Sequence, residues 1–94
     1  MRALASEPRL QILKWLKNPT AHFRPGVEGD IVDGGVCGVQ LAKLLGISQP
    51  TLSEHMRVLS QAGLVKATRI KQWTFYQRDE KRIKELKRVI TREV

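Results

Sequence analysis

The stretch G-I-S-Q-P-T-L-S-E-H-M-R-V-L, residues 46–59, sets a turn residue, a helix cap and a proline directly ahead of a helical run. Gly46 can take a positive φ and so ends the segment before it. Ser48 offers its hydroxyl to the orphan amides of the next helix, and Gln49 and Pro50 fill a first turn where proline is tolerated. Leu52, Met56 and Leu59 then recur at helical spacing as far as Ala62, and Gly63 closes the run. With that stripe turned inward, Ser53, Glu54 and Arg57 face away from the core, together with the Gln49–Pro50 end.

Working upstream, residues 36–45 predict a short helix with Val36 or Val39, Leu41, Leu44 and Leu45 apolar. Residues 18–35 carry two Pro and four Gly without helical periodicity. They predict a long loop with a short extended piece at Asp30–Val32. Residues 4–17 predict a helix with Pro8 in its first turn. Its apolar face holds Leu10, Leu13 and Leu16 beside Ile12 and Trp15, and Asn18-Pro19 stops it.

Downstream, Leu64-Val65, Thr68–Ile70 and Trp73–Tyr76 favour extended chain, with a tight connection at Lys71-Gln72. Residues 64–78 therefore predict a two-stranded hairpin. Residues 79–93 return to helix, with Ile83, Leu86 and Ile90 on one stripe and Asp79 and Glu80 set favourably against the macrodipole.

Ninety-four residues suit one domain near the lower size limit for folding without disulfides or metal. So small a core gains burial by dimerising. Seventeen Lys and Arg against nine Asp and Glu give a net charge of +8, which suits a polyanion: nucleic acid first, an acidic membrane surface second. The single cysteine, Cys37, excludes an internal disulfide framework and fits a reducing compartment. No run of apolar residues is long enough to span a bilayer, and the start of the chain lacks a secretory pattern. The expectation is a soluble, cytoplasmic protein. Asn18-Pro19-Thr20 is no glycosylation site, because proline occupies its centre.

Helix, loop, short helix, sharp turn, second helix, hairpin and terminal helix form the order of a winged helix-turn-helix, mainly α with a small β-hairpin. Such a turn holds two helices at a steep angle, so the second enters a DNA major groove by its N-terminal end. Ser48, Gln49, Thr51 and Ser53 supply polar chemistry there. Gln49 suits adenine or a water-bridged base edge, Ser53 a base or a phosphate, and Glu54 the amine of cytosine. Arg57 suits a phosphate, as do Lys66, Arg69 and Lys71, expected together near the hairpin tip. The expected partner is double-stranded DNA.

The segments E-P-R-L-Q-I-L-K-W-L and V-C-G-V-Q-L-A-K-L-L-G-I-S-Q-P-T-L-S-E-H-M-R-V-L-S-Q-A-G-L-V-K-A-T-R-I-K-Q-W-T-F-Y-Q-R resemble the ArsR/SmtB-type bacterial repressors over roughly two thirds of the chain. The carrying motifs are P-x-R-L-x-I-L, the S-Q-x-x-L-S-x-H-M recognition segment and a wing ending in F-Y. The resemblance implies a homodimeric repressor in the bacterial cytoplasm, bound to an imperfect palindrome and paired through its first and last helices. Leu4, Leu10, Ile83, Leu86 and Ile90 would then lie on the dimer seam.

Three departures stand out. The 18–35 loop is long for the family. The helix that many members carry before P-x-R-L is missing or reduced to Met1–Ala5. The family's C-V-C metal box reads Cys37-Gly38-Val39 here, leaving one thiolate where soft-metal sensing needs more. Its other zinc site uses Asp and His on the last helix, and this tail has no His. No metal and no cofactor is expected, and the sequence names no inducer.

Plainer assignments stand beside these. Cys37 fits a small buried hydrophobe, with redox sensing as the alternative. His22, Cys37, Asp30 and Asp33 match no compact metal spacing. His55 fits a core-boundary histidine bonded to backbone, with a phosphate contact as its functional alternative. Trp73, Phe75 and Tyr76 fit strand side chains, some packed beneath the wing. Catalysis finds no support: Ser53 and His55, two apart, project to different sides of a helix. Two rivals to a plain repressor remain, a metal- or thiol-responsive sensor of the same fold and a winged-helix module that binds an acidic protein.

Overall fold

The computed structural model describes residues 6–23, 31–32 and 34–93. Helix α1, Glu7–Lys17, starts with Pro8 in its first turn and buries Ile12, Leu13 and Leu16. A 3-10 turn at Pro19–Ala21 follows and delivers Phe23, 6% exposed, to the core. Two short strands, β1 (Ile31–Val32) and β2 (Gly35–Cys37), lead straight into α2 (Gly38–Leu45). Helix α3 (Gln49–Gln61), strands β3 (Val65–Ile70) and β4 (Trp73–Arg78), and helix α4 (Glu80–Glu93) complete the order.

The break between α2 and α3 is as anticipated. Gly46 adopts φ 70°, and the amides of Gly46 and Ile47 bond back to the carbonyls of Lys43 and Ala42, each at 3.1 Å. That geometry satisfies carbonyls which the end of α2 would otherwise leave open. Ser48 then caps α3, accepting the Thr51 amide at 3.3 Å. Leu52, Met56, Val58 and Leu59 are the buried residues of α3. They meet Ile12 and Leu16 of α1, Leu41 and Ala42 of α2, Leu64, Val65 and Ile83 in one apolar cluster.

Three expectations need correction. The helix expected from Val36 begins at Gly38, because Val36 and Cys37 run extended as β2. Val36 pairs with Tyr76 and Cys37 with Phe75, and Val36 is completely buried. A β-branched residue gains more there than in a first helical turn. The wing is consequently no isolated hairpin, since β1 and β2 extend it to a four-stranded antiparallel sheet ordered β1-β2-β4-β3. The expected 18–35 loop holds the 3-10 turn, β1 and the first residue of β2. The extended piece expected at Asp30–Val32 is present over Ile31–Val32, with Asp30 outside the described residues.

Asp30, Asp33 and Leu4, and the side chain of Ile90, lie outside the described residues, as does the expected start of the first helix. Ile83, expected on a dimer seam, packs in this chain's own core and also lines the groove between α1 and α4. It follows Asp79, whose carboxylate caps α4 by accepting the Arg82 amide at 3.0 Å.

Candidate nucleic-acid interface

The outer face of α3 presents the residues that its apolar stripe excludes. Ser48, Gln49, Thr51, Ser53, Glu54 and Arg57 are all exposed. Ser48 Oγ donates to Thr51 Oγ1 at 2.9 Å, so the cap also orders the second hydroxyl. Glu54 and Arg57 are tied to each other, with Arg57 Nε donating to Glu54 Oε2 at 2.9 Å. Neither is an isolated charge, and a contact to a base or phosphate has to share or replace that pairing.

His55 is positioned differently from its neighbours. Its Nδ1 accepts from Arg9 Nε on α1 at 3.1 Å, rather than bonding to backbone as expected. Burial lowers its pKa from the ordinary value near 6.5, the Arg9 charge lowers it further, and Glu54 opposes them. A side chain used in this way ties α3 to α1.

The hairpin register runs from Val65 opposite Arg78 to Ile70 opposite Trp73, leaving Lys71-Gln72 as the turn. Lys71 sits at φ 55°, a left-handed conformation that non-glycine residues seldom hold. Arg69 Nε donates to the Lys71 carbonyl at 3.1 Å, which anchors the guanidinium at the tip. Lys66 does not join this pair. It stands opposite Gln77 near the root of the hairpin, and its odd separation from Arg69 puts it on the other face of the sheet.

A cleft of about 200 Å³ lies between α3 and the wing, and Gln49, Ser53, Arg69, Gln72, Trp73 and Thr74 open onto it. Tyr76, Leu52 and Cys37 line it more deeply. Gly38 allows this closeness, since a Cβ there would stand 3.1 Å from the Tyr76 ring. Burial pushes the Tyr76 phenol above its ordinary value near 10, with Arg69 opposing and Cys37 adding to the rise. Gln72, Trp73 and Thr74 were missed as site residues by sequence reasoning. The signal was available: a two-residue turn at Lys71-Gln72 places Thr74 beside Arg69 on one side of the sheet.

On another surface, α1 and α4 bound an apolar groove of about 250 Å³ lined by Leu10, Leu13, Leu64, Ile83 and Leu86, with Lys14, Arg78 and Lys87 also contributing. Leu10 is 41% exposed there. Arg78 is a further residue whose part the sequence did not disclose. Its side chain is 8% exposed, its Nη1 donates to the Leu13 carbonyl at 3.1 Å, and its Nε lies 2.8 Å from Glu80 Oε1. The root of the wing is thereby fastened to α1. Cys37 is buried and forms no disulfide. Among the described residues no three His, Cys, Asp or Glu side chains gather, and no helix is long and apolar enough to cross a membrane.

Residues 36–67, which span the end of the sheet insertion, the helix-turn-helix and the first wing residues, match the family profile described as "Bacterial regulatory protein, arsR family". An HTH-type transcriptional regulator of Bacillus subtilis, YbzH, is 46% identical over 85 residues, covering 90% of this chain and 85% of that protein. A second, MJ1325 of Methanocaldococcus jannaschii, is 30% identical and covers 95% of this chain and 84% of its own length. Among solved structures, HlyU from Vibrio cholerae superposes with a TM-score of 0.66 at 28% identity, over 97% of this chain and 83% of that one. The ArsR family transcriptional regulator RHA00566 gives 0.73 at 15% identity, over 98% and 79% respectively, and so attests the winged-helix fold alone. The matched proteins are transcriptional regulators and not enzymes.

Proposed function

From the premise that this chain belongs to the arsR family of bacterial regulatory proteins, we propose that it is a cytoplasmic homodimeric repressor, a single winged helix-turn-helix domain that binds a pseudo-palindromic DNA operator. The observation that carries this reading is the shared cleft: the exposed polar end of α3 and the basic tip of the wing open onto one surface. Helix α3 enters the major groove by its Gln49 end, where Gln49 meets a base edge and Ser53 a base or a phosphate. Arg69 and Lys71 follow the backbone beside it, and the +8 net charge supplies the attraction that any DNA sequence would feel.

The apolar groove between α1 and α4 supports pairing with a second copy, because it leaves Leu10 41% exposed beside Leu13, Leu64, Ile83 and Leu86. A two-fold dimer presents two α3 helices, so half-sites lie about one helical turn (~34 Å) or a multiple of it apart.

Selection of bound fragments from genomic DNA, followed by fluorescence anisotropy on the recovered site, tests the reading. The expected result is a pseudo-palindrome whose affinity falls steeply with salt, and whose preference over scrambled DNA collapses in Gln49→Ala/Ser53→Ala. Enrichment of no site, or binding indifferent to salt, would overturn it and favour a protein-interaction module.

A further inference from the structure

The cleft between α3 and the wing tip has a chemistry narrower than general DNA affinity. Gln49 and Ser53 enter it from α3, while Arg69, Gln72, Trp73 and Thr74 enter it from the wing. Each polar side chain in that set carries an N–H or O–H donor, one is a permanent cation, and no carboxylate appears in the lining. A guanidinium accepts no hydrogen bond, so this set suits an oxyanion and repels a cation.

Position reinforces composition. Arg69 and Thr74 are directly paired across β3 and β4, so guanidinium and hydroxyl lie on one side of the sheet. The bond from Arg69 Nε to the Lys71 carbonyl holds that side chain by its inner nitrogen. Its two outer nitrogens are then presented together, the fork that matches two oxygens of one phosphate. At about 200 Å³ the cleft is smaller than the ~300–1,000 Å³ usual for a complete small-molecule ligand. It has room for one group of a larger molecule. Trp73, 43% exposed, is also among its lining residues and so reports on its occupancy.

We propose that this cleft seats one phosphodiester of the bound DNA strand, with Arg69 forked onto its two non-bridging oxygens and Ser53 and Thr74 donating hydroxyls. The proposal rests on the DNA-binding reading above and assigns it a fixed point. A phosphate gripped from α3 and the wing together sets the register of the protein on the duplex, leaving Gln49 to discriminate bases.

The test uses intact protein labelled with 5-fluorotryptophan. Its two tryptophans, Trp15 and Trp73, give two fluorine resonances, assigned through Trp73→Phe. A duplex of arbitrary sequence and about 30 base pairs is the first probe, at low salt, with anisotropy recording binding in parallel. Inorganic phosphate and deoxyadenosine monophosphate are the second and third. The expected result is a shift of Trp73 and not Trp15 on adding duplex, and none with either small probe at micromolar concentration. Arg69→Gln should weaken duplex binding about tenfold and remove about one unit from the salt slope. Thr74→Val should weaken binding less and leave that slope intact, since no charge is lost.

Duplex binding that leaves Trp73 unmoved, with an unchanged salt slope in Arg69→Gln, overturns the phosphodiester seat while DNA binding stands. A Trp73 shift with deoxyadenosine monophosphate or phosphate at micromolar concentration also overturns it, marking a site for a free ligand. Absence of duplex binding removes the DNA-binding reading and this proposal with it.

Discussion

Arg9 Nε on α1 donates a 3.1 Å hydrogen bond to His55 Nδ1 on α3, joining residues 46 positions apart in sequence. The bond requires a lone pair on Nδ1, so it exists only while the imidazole is neutral. Arg9 immediately precedes Leu10, which lines the apolar groove, so the face of α1 toward the groove and its bond to α3 are set by one helical turn. The orientation of α3 is therefore referred to the same helix that the proposed dimer pairs through.

Acidification should loosen this connection. Burial first, and the Arg9 charge second, lower the His55 pKa below its ordinary 6.5, with Glu54 as the opposing charge. The unfolded chain therefore binds more protons than the folded one in the interval below 6.5, and stability rises with pH there. The contribution is complete above about pH 6.5 and declines as pH falls toward the lowered folded value. Urea midpoints measured from about pH 7.5 down to 5.5 should fall for the wild type and fall less for His55→Gln. Equal slopes for both proteins would sink the idea.

Gly46→Ala should destabilise by about 1 kcal/mol through backbone conformation alone. A Cβ at Gly46 meets nothing within 4 Å, so no clash contributes, and the penalty comes entirely from φ 70°. Gly46→Asn should recover part of the loss, because Asn tolerates that region better. Thermal melts of the three proteins decide the matter.

Leu10→Glu should shift a dimer toward monomer without unfolding the chain. The side chain is 41% exposed, outside the buried cluster, yet lines the α1–α4 groove. Sedimentation velocity should show the smaller species at concentrations where wild type is dimeric, and DNA affinity should drop with it. An unchanged sedimentation coefficient would assign the groove some other purpose.

Lys71→Gly should separate stability from binding. Removing the Cβ relieves the φ 55° strain at the turn and should stabilise the fold by about 1 kcal/mol, less whatever entropy glycine adds to the unfolded chain. It also removes a cation from the wing tip, so duplex affinity should fall and the salt slope with it. A variant that melts higher and binds DNA more weakly is the expected outcome. Loss on both counts would mean the turn needs the lysine for its shape.

The helix-turn-helix was legible because its signals are local. Gly46, Ser48, Pro50 and the Leu52-Met56-Leu59 stripe each act within one or two turns of chain. The hairpin turn was equally legible, since Lys71-Gln72 sits between two β-favouring runs. What escaped was non-local. Val36 and Cys37 are extended because Tyr76 and Phe75, far along the chain, offer them partners, and no periodicity in a short segment announces that. Ile83 lies on the same helical stripe as Leu86, yet only packing decides that it closes this chain's own core. Likewise, Arg78 reads as one more wing cation until the Leu13 carbonyl appears beside it.

Strand β4 is flanked by β3 on one side and by β2 on the other, and ends on Arg78 with its grip on α1. In mechanical terms the wing is a cantilever clamped along part of one edge and at its foot, with only the span near Lys71 free to bend. The chain that forms the clamp comes from the long connection after α1, the segment where a change of length would seem most harmless. Trimming it would leave the polar residues of α3 and the wing tip in place and soften the beam that carries half of them. Grafting it onto a relative with a bare hairpin would stiffen that wing without touching a single residue at its tip.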